Sequence, residues 1–221
     1  MIKLNFRDDL NRPLNILCLG AHSDDIEVGC GGTLRKLALE YPAIQFTWVV
    51  FSAQEQRKAE ALASARDILK EHMHSRVIIQ SFRDGFFPYF GVEIKEFFEQ
   101  LKQEETPDII FTHYRQDLHQ DHRLISELSW NTFRDHLILE YEIPKYDGDL
   151  GAPNFYVHLD EKTCQQKVIS LLENFQSQKN KHWFAGDTFF ALLRIRGIES
   201  RSPSCYAEAF YCRKVILQTC L

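Results

Sequence analysis

Leu14-Asn15-Ile16-Leu17-Cys18-Leu19-Gly20, followed without a break by Ala21-His22-Ser23-Asp24-Asp25-Ile26-Glu27, is the stretch on which the fold turns. A short apolar run closed by glycine reads as a buried strand, and the acidic cluster after it reads as a polar loop outside that strand. Outward from this stretch the chain alternates. Helical spacing covers 33–40, a β-rich run 46–51, and a helix with Ala and Leu at three- and four-residue intervals 57–71. A strand over 76–82, a helix over 92–103, a strand over 107–112, a helix over 119–134 and a strand over 137–143 continue the pattern. Such alternation builds βαβ units, so the expected class is α/β, Rossmann-like: a mostly parallel sheet, wound right-handed, with helices on both faces.

Beyond Pro144 the pattern loosens. Tyr146-Asp147-Gly148-Asp149-Leu150-Gly151-Ala152-Pro153 is turn-rich and precedes a strand over 155–158 and a helix over 164–176. This reads as a C-terminal elaboration of the same unit. At 221 residues the chain fits one domain, 1–221, and two would be cramped.

Composition is that of an ordinary globular protein, 44% hydrophobic and 26% charged, which argues against disorder. A net charge of -5 provides no basic footprint for nucleic acid or an anionic membrane. The six cysteines, Cys18, Cys30, Cys164, Cys205, Cys212 and Cys220, show no CxxC spacing, so buried or free thiols are expected rather than a zinc ribbon or a redox motif. The start, Met1 to Asp9, is charged and carries no continuous apolar core, and no later run of about 18 apolar residues suggests a membrane span. These readings predict a cytoplasmic protein; they leave its oligomeric state open.

Two clusters carry candidate chemistry: His22-Ser23-Asp24-Asp25 after the first strand, and His119-Gln120-Asp121-His122 after the fourth. In a doubly wound sheet the crevice opens at the carboxyl ends of strands where their order reverses, commonly between the first and fourth. His22, Asp25 and His122 then make a two-His, one-carboxylate set that leaves a fourth tetrahedral position for water, as catalytic zinc requires. Asp24, pointing differently from its neighbour on an extended segment, faces that water as general base. His119 and His122 share one helix face, so one ligates and the other touches substrate. Asp121 either orients His119 or is an exposed helix residue. A lone loop histidine is more often a solvated or capping side chain, and Asp-Asp is often a turn or an N-cap; two clusters at equivalent strand ends outweigh that reading. Gly29-Cys30-Gly31-Gly32-Thr33 follows an acidic loop that would repel phosphate, so it is read as allowing close helix packing.

These residues resemble the PIG-L/LmbE-like family of zinc-dependent N-acetylglucosamine deacetylases. The resemblance is carried by Ala21-His22-Ser23-Asp24-Asp25, Gly31-Gly32-Thr33-Leu34 and His119-Gln120-Asp121-His122. Arg57 and Glu60, Phe82-Arg83-Asp84-Gly85 and Tyr206-Ala207-Glu208-Ala209-Phe210 extend it. It implies metal ligation by His22, Asp25 and His122, Asp24 as base, His119 at the oxyanion or leaving amine, and Arg57 and Asp84 on the sugar hydroxyls. Ser23 replaces the usual proline, Ile26 stands where the tightest motif has glutamate, and Asp117 stands where some members place a tyrosine.

The expected function is therefore a hydrolase that removes an acyl group, acetyl first among them, from an amino-sugar substrate, free or linked to a nucleotide or lipid. The expected cofactor is Zn2+, with another divalent ion such as Fe2+ as the alternative. Protonated His119 and the metal would stabilise the tetrahedral oxyanion. Two other readings stand beside it: an amidase on a larger sugar conjugate, and a sugar- or nucleotide-binding module without catalysis.

Overall fold

Strand order in the computed structural model, which describes residue 3 and residues 12–216 apart from 70, 71 and 73, reverses where the sequence predicts. The elements in chain order are β1 Leu14–His22, α1 Asp25–Glu40, β2 Ile44–Ser52, α2 Glu55–Leu69, β3 Arg76–Ile79, α3 Gly91–Glu104, β4 Ile109–His113 and α4 Gln120–Thr132. They continue with β5 Leu137–Tyr141, β6 Phe155–His158, α5 Glu161–Asn174, α6 Gly186–Glu199 and β7 Ala207–Cys212. The sheet runs β3-β2-β1-β4-β5-β7-β6, with β1 to β5 parallel and β7 antiparallel to both its neighbours.

Alternate residues of β1 serve two cores, because successive side chains of a strand point to opposite faces. Leu14, Ile16 and Cys18 join the core under α1, α2, α5 and α6. Leu17, Leu19 and Ala21 join the one under α3 and α4. The fold is thus the α/β, mostly parallel and doubly covered architecture expected from the alternation.

Several boundaries move. α1 begins at Asp25 rather than near 33, and β1 runs through His22, so the acidic cluster is a strand end joined to a helix start and not an extended loop. Glycine-rich sequence is a poor helix former in isolation, but packing overrides that here. A Cβ on Gly29 would sit 2.2 Å from the Tyr141 ring, and one on Gly32 would sit 2.5 Å from Leu159 and 3.0 Å from Glu208. Into the space at Gly32 comes a buried ion pair: Glu208 accepts from the Gly32 and Thr33 amides at 2.9 and 2.6 Å, and Lys167 donates to the Val28 carbonyl at 2.6 Å and to Glu208. The glycine cluster therefore serves close packing.

β3 stops at Ile79 and β5 at Tyr141, each shorter than predicted, and α6 and β7 were not predicted at all. Cys18, Cys30, Cys164, Cys205 and Cys212 are free. Cys220, the charged start over 1–9 apart from residue 3, and the last two positions of the predicted helix 57–71 lie outside the described residues. No helix among the described residues is long and apolar enough to cross a membrane.

Candidate metal and catalytic site

β1 delivers His22 at its carboxyl end, and the chain turns at once into α1, with Asp24 as N-cap and Asp25 in the first turn. Two residues, Ser23 and Asp24, thus separate the strand from the helix, and the His22 amide donates to Asp25 Oδ2 at 2.6 Å. β4, adjacent to β1, leads through a short turn to α4, whose N-cap is His119. The crevice at the β1/β4 reversal consequently collects both clusters.

His22 Nδ1 lies 3.1 Å from His122 Nε2 and 3.3 Å from Asp25 Oδ2, and His122 Nε2 lies 3.6 Å from the same carboxylate oxygen. Tetrahedral zinc with bonds of about 2.0–2.1 Å separates its ligand atoms by roughly 3.3–3.4 Å. The triangle of donor atoms matches that spacing. Burial disfavours protonation of His22, yet Asp25, with hydrogen-bonding contacts from Asp121 and Asp84, holds its proton affinity well above the ordinary imidazole value. A pocket that draws a proton toward this triangle is one whose charge balance a divalent cation would satisfy. His122 is the reverse: burial, then His113, pushes it down to about 3, leaving a neutral ring with a lone pair to offer. Burial raises Asp25, but His122, His113 and His22 outweigh it and hold the carboxylate well below its usual range.

The outer atoms of both histidines meet carboxylates. His22 Nε2 lies 3.1 Å from Asp84 and 3.3 Å from Asp121, and His122 Nδ1 lies 3.0 Å from Asp117. Metal-binding histidines characteristically carry such partners, which fix tautomer and ring direction. Asp121 is fully buried and accepts from the amides of Gly85 and Phe87 at 2.7 and 3.1 Å. Its carboxylate faces His22 and so neither orients His119 nor stands exposed, and only its backbone amide meets His119; the turn at Gly85, with φ of +79°, brings the Gly85 and Phe87 amides to it.

Asp24 is buried, and burial followed by Asp25 raises its proton affinity, against the pull of Arg57, Lys181 and His22. A base raised toward neutrality is suited to accept a proton from water. Arg57 donates through Nε to Ser23 Oγ at 3.1 Å and through Nη1 to Asp84 at 2.8 Å, and its Nη2 lies 3.6 Å from Asp24. Ser23 Oγ in turn donates to Asp24 Oδ1 at 3.4 Å, so Ser23 ties Arg57 to the Asp24 carboxylate. Asp84 is half-exposed at the rim, its carboxyl held low by the contact with His22. Glu60 points away and accepts from Ser177 instead.

His119 is half-buried, and its Nδ1 accepts from the Asp121 amide at 3.2 Å, which leaves the proton on Nε2. Burial, then His22, lowers its proton affinity. The imidazolium expected from the sequence is therefore replaced here by a neutral ring that donates. Sequence reading missed His113, the last residue of β4, which accepts from the Ala21 amide at 2.9 Å and stacks on His122 at 4.0 Å. His119 stacks on the same ring at 4.5 Å, so His122 sits between two imidazoles. The position of His113 at a strand's carboxyl end was the available signal. His22, His119 and His122 form a second group with ligand atoms within 4.8 Å, as do Asp25, His113 and His122.

The family model described as PIG-L: GlcNAc-PI de-N-acetylase matches residues 17–133, just over half the chain. Solved structures share the fold. The conserved protein TT1542 from Thermus thermophilus is 20% identical, with TM-score 0.71 and coverage of 93% of this chain and 97% of that one. The N,N'-diacetylchitobiose deacetylase from Pyrococcus horikoshii is 19% identical, with TM-score 0.70 and coverage of 93% and 87%. GalB, the 4-carboxy-2-hydroxymuconate hydratase from Pseudomonas putida KT2440, is 14% identical, with TM-score 0.71 and coverage of 94% and 99%. At these identities the likeness shows the fold alone, and the fold carries more than one chemistry.

Proposed function

Because this chain belongs to the PIG-L family, the GlcNAc-PI de-N-acetylases, we propose that it is a metal-dependent hydrolase removing an N-acyl group, acetyl first, from an amino-sugar substrate, and that residues 1–221 act as one domain. The observation that carries this reading is the triangle of His22 Nδ1, Asp25 Oδ2 and His122 Nε2, with the buried carboxylate of Asp24 beside it and outside it. These three residues would hold the ion, zinc by donor type. When bound, it supplies a Lewis acid for the amide carbonyl and lowers the proton affinity of its water.

Asp24 would take a proton from the water that attacks the carbonyl carbon, its carboxylate aligned by Arg57 and Ser23. His119, with its proton on Nε2, donates a hydrogen bond to the oxygen that gains negative charge. Asp24 then passes the proton it collected to the departing nitrogen, so the amine leaves neutral, the carboxylate is regenerated, and the His119 ring keeps its own proton throughout. Arg57 and Asp84, at the half-exposed rim, hold the sugar hydroxyls. The hydratase on the same fold is similar to this chain, but the family match favours amide cleavage.

Metal analysis followed by a screen of N-acetyl amino sugars, free, nucleotide-linked and lipid-linked, tests the proposal. One equivalent of zinc and release of acetate with a free amine are expected. Stoichiometric metal with no amide cleaved, including larger sugar amides, would overturn the reaction; binding of sugars without any metal would point to a non-catalytic module.

A further inference from the structure

The turn-rich segment after β5 carries a lysine in an unusual setting. The Lys145 side chain is 9% exposed, and its Nζ lies 2.9 Å from Asp117 Oδ2 and 2.5 Å from Asp149 Oδ2. Asp117 divides its acceptors between the two histidines of α4: Oδ1 takes the His119 amide at 2.7 Å, and Oδ2 faces His122 Nδ1 at 3.0 Å. Asp149 takes the Leu118 amide at 2.7 Å through the same oxygen that meets Lys145. Arg123, also near this turn, donates to the carbonyls of Asp117 and Leu118.

A buried carboxylate without a counter-charge is costly, and Lys145 supplies that charge to Asp117 from the loop after β5. The arrangement is a chain of contacts, Lys145 to Asp117 to His122, whose far end is the Nε2 lone pair directed at Asp25 and His22. Asp149 locks the ammonium in place and holds the turn before α4. We infer that Lys145 is a positioning residue for the metal centre: acting through Asp117, it fixes the His122 ring and thereby sets the affinity for the ion. The inference rests on the ligand set proposed above.

The test is zinc affinity, measured by competition with a chromophoric chelator, alongside the melting temperature of the metal-free protein. Lys145→Met is expected to weaken zinc about 10–100-fold, the usual consequence of removing an outer partner of a ligating histidine. That variant leaves two buried carboxylates facing each other. A second variant, Lys145→Met with Asp149→Asn, removes the surplus charge while keeping an acceptor for the Leu118 amide, and is expected to bind zinc as weakly as the single variant. Wild-type affinity in the double variant would show that Lys145 merely neutralises Asp149, which overturns the inference and leaves the ligand set intact. Absence of stoichiometric zinc from the wild-type protein would instead remove the ligand set, and the inference with it.

Discussion

Glu27 lies in the first turn of α1, is 3% exposed, and has neither carboxyl oxygen within hydrogen-bond geometry of a partner. Burial pushes it up to about 8, offset only in part by the nearby Ser64 hydroxyl, against about 4.3 for an unfolded glutamate. Between those values the folded state holds a proton that the unfolded state releases, so stability falls as pH rises, by about 1.4 kcal/mol per unit. From pH 4.3 to 7 the accumulated cost is about 3–4 kcal/mol, which for a chain of this length corresponds to roughly 6–16 °C in melting temperature. Glu27→Gln keeps the shape and removes the titration. Thermal unfolding of the metal-free wild type and variant, followed by circular dichroism from about pH 4 to 9, should therefore give curves that diverge in favour of the variant as pH rises and run parallel above about pH 8. Titrating groups that do not interact with Glu27 cancel in the difference. Curves that stay parallel between about pH 5 and 8 would mean that Glu27 ionises freely in the folded protein and that the burial argument fails.

Asp24→Asn should keep its metal and lose about 10²–10⁴-fold in kcat, the usual scale of general-base assistance; near-normal turnover would remove Asp24 from the reaction. His119→Ala should retain metal and lower kcat more than it raises KM, as expected for a contact made mainly in the transition state. Loss of metal in that variant, measured by atomic absorption, would make His119 a ligand in the group it forms with His22 and His122. Gly29→Ala sets a gain in helix propensity of about 1 kcal/mol against overlap with three atoms of the fully buried Tyr141 side chain, the nearest at 2.2 Å. Overpacking should win by about 1–2 kcal/mol, read as a lower denaturation midpoint in urea.

The sheet was legible because β1, β2 and β4 are nearly all buried and their apolar runs are closed by turn residues, so type and order followed from the run alone. That His22, Asp25 and His122 meet was legible because reversal of strand order between β1 and β4 brings two strand ends together whatever the details of the loops. The start of α1 was hidden by its glycines, whose use depends on Tyr141, Leu159 and Glu208, far away in sequence. α6 lacks a single apolar stripe, since Arg196 is buried against Glu142 while Ile195 and Ile198 are exposed. β7 carries a charged residue at a buried position, Glu208, which makes sense only with Lys167 opposite. For the same reason Asp121 could not be placed: its partner amides, Gly85 and Phe87, come from the turn after β3.

The contact between Glu208 and the amides of Gly32 and Thr33 has a consequence for biosynthesis. Chain emerging from the ribosome contains every candidate ligand by residue 122, yet α1 gains its brace only when β7 arrives, and Asp117 gains its counter-charge only with Lys145. A product truncated after α4 would carry those candidate donors with α1 packed on β1 and α2 but lacking the Glu208 contact to its amides, and with Asp117 lacking its lysine.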